Sequence, residues 1–193
     1  MNRLRTALAL AAGMLPLATM AHTHAATHDH GIASGLLTGF IHPFTGPDHL
    51  AAMVAVGIWS AMTASRVWLA PAAFAGTLLA GAVLGMAGLA LPAVEPMIAV
   101  SLLVLGLLIA TRQRLPATAA VMLTGGFALF HGAAHGTELA GPYAVATLIG
   151  IVTATALLHA AGLCIGLAWR GANRWPARLA GAGVALFGLS LLS

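Results

Sequence analysis

The sequence predicts an all-α membrane protein with six transmembrane helices, the first of them broken, preceded by a cleavable signal peptide. Three observations support this fold class. Of the 193 residues, 60% are hydrophobic and only 6% are charged, whereas roughly a quarter of a soluble domain is charged. Long apolar runs alternate with short polar or proline-bearing breaks. Finally, every arginine falls on one side of the membrane when successive spans cross in opposite directions.

The first 21 residues have the pattern of a secretory signal. Arg3 and Arg5 form a basic region, an apolar stretch follows them, and residues 19–21 form a small-residue cleavage site. A retained signal anchor is the alternative interpretation. Cleavage would leave a polar, His-rich tail, residues 22–31, outside the cytoplasm, with too little apolar surface to fold alone.

The remaining chain, residues 32–193, is predicted to be one transmembrane domain of six spans. Their predicted bounds are 32–63, 68–91, 95–111, 117–139, 143–169 and 175–192. A helix needs about 20 residues to cross the hydrocarbon core, so the third and sixth spans are near the short limit. The first run is too long for one straight helix.

The arginines predict the orientation of these spans. With the mature N-terminus outside, all arginines after the signal fall on the cytoplasmic side: Arg66, Arg112, Arg114, Arg170, Arg174 and Arg178. The predicted outer turns, residues 91–96 and 138–143, carry no positive charge, as the positive-inside rule requires. Both mature termini are therefore predicted outside. The four tryptophans, Trp59, Trp68, Trp169 and Trp175, are predicted to form a belt at the cytoplasmic border.

Composition also excludes several classes of partner. The high isoelectric point reflects eight arginines against four acids, and these arginines are scattered, so no nucleic-acid partner is predicted. The single cysteine, Cys164, excludes an internal disulfide and a cysteine-type zinc site. The small-residue pairs Gly81/Gly85 and Gly162/Gly166 predict close helix packing within the bundle and leave homo-oligomerisation open.

The stretch HPFTGPDH, residues 42–49, is predicted to break the first span. Proline is incompatible with a helix interior, so Pro43 favours a helix end near His42. Pro47 suits the first position of a new helix, and Asp48 in its first turn complements the helix dipole. The sequence therefore predicts two half-helices that meet within the membrane.

The ionisable groups at this break predict a site. His42, Asp48 and His49 lie at membrane depth, where such groups are costly and are usually functional. Broken backbone at that depth occurs where protein or a water-filled cavity surrounds it, and it recurs at the ion sites of transporters. The alternative is a proline kink whose polar side chains are satisfied by neighbouring helices.

A second cluster lies in FHGAAHGTE, residues 130–138. His131, His135 and Glu138 are spaced at i, i+4 and i+7, which places them on one helix face. Two imidazoles at that spacing can chelate one metal ion. The two glycines of this stretch leave the neighbouring surface thin, which favours a closely packed second helix.

Helix rise predicts that the two clusters meet. His131 and His135 lie roughly 20–27 Å above the inner end of their span, and His42 lies roughly 15 Å below the outer surface. Both positions fall in the outer half of the bilayer. Imidazole and carboxylate without thiolate suit nickel, cobalt, copper or zinc, whereas magnesium and calcium require more oxygen ligands.

The other histidines carry weaker predictions. His159 lies deeper, as an exit-side relay or as a histidine hydrogen-bonded to another helix. Cleavage after Ala21 would start the mature chain at His22-Thr23-His24, whose nitrogens can form a square-planar site for Ni(II) or Cu(II). The alternative for that segment is a solvated linker.

HPFTGPDH, with FHGAAHG followed by a glutamate, resembles the HupE/UreJ family, over most of the mature chain. These small membrane proteins are associated with hydrogenase and urease maturation and are regarded as nickel or cobalt permeases. The resemblance implies metal residues in the first motif (His42, Asp48, His49) and in the second (His131, His135, Glu138). It implies a permease rather than an enzyme, in the bacterial inner membrane with periplasmic termini. The resemblance further implies that Ni²⁺ or Co²⁺ is the transported ion and that no cofactor is bound permanently. It implies nickel chaperones of hydrogenase or urease as downstream partners.

Two other function classes compete with transport. A membrane-embedded zinc hydrolase could use the same cluster, but Glu138 is its only candidate base. A b-type haem protein would need one histidine on each face of the ring, whereas i, i+4 pairs suit small ions. The sequence does not rank nickel against cobalt, because both accept the same ligands.

Overall fold

The structure, a computed structural model, describes residues 31–193. The described residues form seven α-helices, which confirms the all-α fold class for this part of the chain. These are α1 (Ile32–Thr45), α2 (Pro47–Thr63), α3 (Leu69–Met86), α4 (Val94–Thr111), α5 (Ala117–Glu138), α6 (Ala144–Arg170) and α7 (Arg174–Ser190). The predicted signal peptide and residues 22–30 of the predicted tail, with His22 and His24, lie outside the described residues.

The predicted break in the first span is present at Gly46. This residue has extended backbone angles, φ −85° and ψ 104°, and separates Thr45 at the end of α1 from Pro47 at the start of α2. Pro47 occupies the start of the helix, where no intrahelical N–H bond is required, and Asp48 lies in the first turn. The sequence prediction for the start of the second half-helix is therefore confirmed.

The predicted end of the first half-helix was wrong by three residues. Helix α1 does not end near His42 but continues through Pro43 to Thr45. Because Pro43 lies in the last turn, its missing N–H removes only one helical hydrogen bond. The carbonyl of His42 accepts hydrogen bonds from the Gly46 amide at 3.2 Å and from the Thr45 hydroxyl at 2.9 Å, which holds that last turn together.

The second predicted span, residues 68–91, is also shorter than expected, since α3 ends at Met86. Gly88 has a positive φ of 84°, a conformation that glycine adopts without strain. The Leu89 amide donates to the Leu84 carbonyl at 3.0 Å, and the Gly88 amide donates to the Gly85 carbonyl at 2.9 Å. This pair of bonds is a Schellman motif, which terminates the helix.

Among the described helices, α3, α4, α5 and α6 are long and apolar enough to cross a membrane, with 18, 18, 22 and 27 residues. Helices α1 and α2 lie end to end along α6. Gly39 of α1 packs against the backbone of Thr147, and Gly57 of α2 packs against the backbone of His159. The two half-helices thus share one long neighbour.

Glycines bring α3 and α5 into backbone contact. A Cβ added at Gly132 would clash with the carbonyl oxygen of Leu78, and one at Gly136 would clash with that of Ala82. Gly81 of α3 meets the α5 backbone in the same way. The predicted packing roles of the glycine pairs are confirmed, since Gly162 and Gly166 likewise lie against the α2 backbone.

The loops at residues 64–68, 112–116 and 171–173 lie together and form what we call the arginine end of the bundle. Arg170 donates to the carbonyl oxygens of Ala61 and Ala64, both at 2.8 Å, and so caps the C-terminus of α2. One tryptophan departs from the predicted belt. Trp59 is only 2% exposed and donates its indole N–H to the Gln113 carbonyl at 2.9 Å, so it packs inside the bundle.

Candidate metal site

The two predicted clusters meet where α1 and α2 join, beside the last turns of α5. His42 at the end of α1 faces Glu138 at the end of α5, with Nε2 and Oε2 3.0 Å apart. The ring centroid of His42 lies 5.0 Å from that of His135, and the His49 centroid lies 4.3 Å from that of His135. We call His42, His49, His131 and His135 the His cluster.

The His cluster is continuous. The centroid of His49 lies 5.0 Å from that of His131 and 6.3 Å from that of His42. His131, His135 and Glu138 all point from α5 toward the α1–α2 break, as the i, i+4, i+7 spacing predicts. The structure thus brings together all six residues of the two motifs, Asp48 included.

Asp48 fixes the protonation of His49. The Asp48 Oδ1 atom lies 2.9 Å from His49 Nδ1 and also accepts the His49 amide at 2.9 Å. Because a carboxylate only accepts, Nδ1 must carry the proton, and in the neutral ring the lone pair is on Nε2. That Nε2 is buried without a hydrogen-bond partner among residues 31–193.

Ser101 determines which nitrogen of His131 carries the proton. Its hydroxyl proton is used in a 2.6 Å hydrogen bond to the Ile98 carbonyl, so its oxygen accepts from His131 Nε2 at 2.9 Å. The lone pair of neutral His131 is then on Nδ1. Within the described part of the chain this Nδ1 is also buried and unpaired. Two imidazoles of the His cluster therefore present a free lone pair.

Sequence reasoning missed Ser101. The residue is fully buried in the third predicted span, where one hydroxyl among apolar residues gives no signal of its own. Its role appears only when α4 is placed against α5. A lone serine near the middle of a span, at the depth of a predicted histidine, is the one clue the sequence contains.

Burial increases through the site. The side chain of Glu138 is 49% exposed and that of His42 is 25% exposed, whereas His131 and His135 are 0% exposed. Both nitrogens of His135 lack a hydrogen-bond partner in the residues that the structure describes. Unpaired buried nitrogens are costly and require an explanation, such as a ligand that the site accepts.

The side chains are adjacent but do not surround a single point. Across residues 31–193, no group of three or more His, Cys, Asp or Glu side chains is arranged to hold one metal ion. The rings of the His cluster are close enough for two of them to share an ion, but three donor groups do not converge on one point. Ligation by three groups at once therefore requires rotation of side chains in the His cluster.

His159 lies apart from the His cluster. It is 3% exposed, and its ring centroid is 5.2 Å from that of Phe74. Its Nε2 has no hydrogen-bond partner in the described bundle, so this nitrogen makes no bond to another helix. The exit-side relay stays a prediction.

Comparison with known proteins shows the family of this chain. The profile of the family described as "HupE / UreJ protein" matches residues 10–191. A relative named Protein HupE, from Rhizobium leguminosarum bv. viciae, is 42% identical over 181 residues, covering 92% of this chain and 93% of the relative. The comparison with solved structures gave no match. The chain, a multi-pass membrane protein with four long apolar helices among those described, therefore belongs to the HupE/UreJ family.

Proposed function

We propose that this protein is an inner-membrane permease that imports Ni²⁺, or Co²⁺, through the His cluster with Asp48 and Glu138. The observation that carries the proposal is the buried meeting of the two motifs, in which His49 Nε2 and His131 Nδ1 present unpaired lone pairs. Imidazole nitrogens with carboxylate oxygens are ligands for borderline divalent metals. No permanently bound cofactor is needed, because the ion is the cargo.

The hydrogen-bond partners of the two histidines support a metal site. Ligating histidines commonly donate their second nitrogen to a carboxylate or another acceptor, which fixes the tautomer and the ring orientation. Asp48 serves His49 in this way and Ser101 serves His131. The alternative to a metal site is a proline kink whose polar side chains are satisfied by neighbouring helices. Such a kink would leave no unpaired imidazole nitrogens of this kind.

The route starts at the most exposed pair. Glu138 and His42 lie where the ion would first lose water, and His131 and His135 are the buried positions that follow. The adjacent rings allow the ion to pass from one pair of ligands to the next without a closed cage. Conduction requires binding that is strong enough to enter and weak enough to leave, and an open cluster meets that condition.

The topology we propose has six spans, with α1–α2 and α7 added to the four long helices. The arginine end is then cytoplasmic and the His cluster faces the periplasm. Residues 1–21 are a cleaved signal, residues 22–31 a His-rich periplasmic tail, and residues 32–193 the permease domain. His22, His24 and His159 are auxiliary metal ligands in this proposal.

Membership of the HupE/UreJ family supports nickel chaperones as the partners of this protein. HupE/UreJ proteins are membrane proteins associated with hydrogenase and urease, enzymes whose maturation consumes nickel. We infer that imported nickel passes to the nickel chaperones of one of these enzymes. The family is one of transporters and not of enzymes, so the chain is not an enzyme, and the zinc hydrolase is not proposed.

Flux through purified protein tests the proposal. Proteoliposomes with a trapped nickel-sensitive dye would compare wild type with His49→Ala and His131→Ala, which should reduce nickel entry to the rate of empty vesicles. Met122→Ala is the matched control, since Met122 lies on α5 with His131 but is 76% exposed. Wild-type flux equal to that of empty vesicles, or flux in both histidine variants equal to that of wild type, would overturn the proposal.

A further inference from the structure

We propose that Phe74 is the gating residue of this permease, closing the passage between the His cluster and His159. The inference rests on the proposed import of a divalent metal ion. The Phe74 ring centroid lies 5.5 Å from that of His131 and 5.2 Å from that of His159. Within residues 31–193, the ring of His159 contacts the ring of Phe74 and no imidazole.

The order of residues along α3 places Phe74 between the His cluster and the arginine end. Toward the His cluster, Leu78 packs against Gly132, the neighbour of His131. Toward the arginine end, Ala70 lines a cavity of about 580 Å³, together with Trp59 of α2. From Ala70 to Leu78 the helix rises about 12 Å, and Phe74 is halfway.

The protein is closed to solvent at the level of Phe74. Its side chain is 0% exposed, as are Met53 and Leu102, which belong to the same buried core. A phenyl ring offers no lone pair to replace water on a divalent cation, so the ion pays its desolvation cost there. Apolar constrictions of this kind gate channels by excluding water.

His159 supplies the next ligand beyond the ring. Its Nε2 is buried and, within the described bundle, has no hydrogen-bond partner. Rotation of the Phe74 ring joins His131 to His159 because the ring contacts both imidazoles. The ion then moves from His131 to His159 and onward to the cavity at the arginine end, and the ring closes behind it.

The test separates flux from binding. In proteoliposomes with a trapped nickel-sensitive dye, Phe74→Ala should raise nickel entry several-fold, while nickel affinity of the purified protein stays at the wild-type value. Phe74→Trp should lower the flux several-fold. Leu105→Ala is the control for loss of buried apolar volume, because Leu105 of α4 is also 0% exposed; its flux should equal that of wild type.

His159→Ala should lower the flux several-fold, because the ion loses the ligand that follows His131. Where Phe74→Ala does not yield folded protein, Phe74→Met, which keeps a flexible apolar side chain, should give an intermediate increase in flux. If Phe74→Ala or Phe74→Met binds nickel normally but carries it no faster than wild type, the gating role of Phe74 is wrong, and the import proposal is unaffected. Equal acceleration by Leu105→Ala would overturn it too, whereas wild-type protein that neither binds nor carries nickel would overturn the import proposal itself.

Discussion

Asp48 Oδ1 lies 2.9 Å from His49 Nδ1 and also accepts the His49 backbone amide. One carboxylate oxygen thus fixes both the ring and the start of α2. A metal ligand held in this way loses less rotamer entropy on binding than a free imidazole, and its lone pair is already on the nitrogen that faces the cluster.

Asp48→Asn tests this pair. The variant keeps the size of the side chain but removes the charge, and its amide N–H₂ can point at His49 Nδ1 and reverse the tautomer. We expect nickel affinity to fall about 10–100-fold, measured by titration calorimetry on purified protein. Glu95→Gln, at the start of α4, removes a carboxylate from a different helix and should bind like wild type. Wild-type affinity in Asp48→Asn would show that the carboxylate does not orient a ligand.

Ser101→Ala tests the residue that orients His131. Loss of the hydroxyl leaves His131 Nε2–H without its acceptor, so the ring can turn or change tautomer. Nickel affinity should fall about 10-fold, at the lower end of the range for residues that hydrogen-bond to a metal ligand. Ser190→Ala, an exposed serine at the end of α7, is the control and should not change affinity. An unchanged affinity in Ser101→Ala would remove Ser101 from the site.

Gly132→Ala tests the backbone contact that sets α5 against α3. An added methyl group would clash with the Leu78 carbonyl, so the helices must separate beside His131 at a cost of about 1–3 kcal/mol. We expect a lower thermal midpoint in detergent and reduced nickel flux. Gly126→Ala is the matched control on the same helix, because the added Cβ would have no described atom within 4 Å apart from its chain neighbours and the nearby backbone of its own helix. It should be neutral or slightly stabilising, and an equal loss in both variants would contradict the contact.

Nickel import should also depend on pH. Ligation requires neutral imidazole, because a protonated ring has no lone pair for the metal. With internal pH held constant, flux should therefore fall as external pH is lowered and the imidazoles take up protons. Flux that is unchanged or rises as external pH falls would contradict imidazole as a required ligand.

The sequence predicts the local parts of this site well. Proline and glycine chemistry identifies the break and the start of α2 at Pro47, and helix periodicity places His131, His135 and Glu138 on one face. Depth along the spans predicts that the two motifs lie at one level. Each of these inferences uses the residue pattern along single spans and requires no knowledge of how the helices pack.

What the sequence does not predict depends on how helices are rotated and packed. The pairing of His42 with Glu138 and of His49 with His131 follows from the contact of α1 and α2 with α5. The roles of Ser101 and Phe74 likewise require the positions of α4 and α3. The end of α1 beyond Pro43 was misjudged because a proline in a last turn costs little, which composition cannot reveal.

Nickel K-edge X-ray absorption spectroscopy of the loaded, purified protein tests the central claim most directly. We expect nitrogen and oxygen ligands without sulfur, the multiple-scattering signature of at least two imidazoles, and weaker imidazole scattering in His49→Ala and in His131→Ala. A shell of oxygen atoms like that of hydrated nickel, unchanged in both variants, would contradict it.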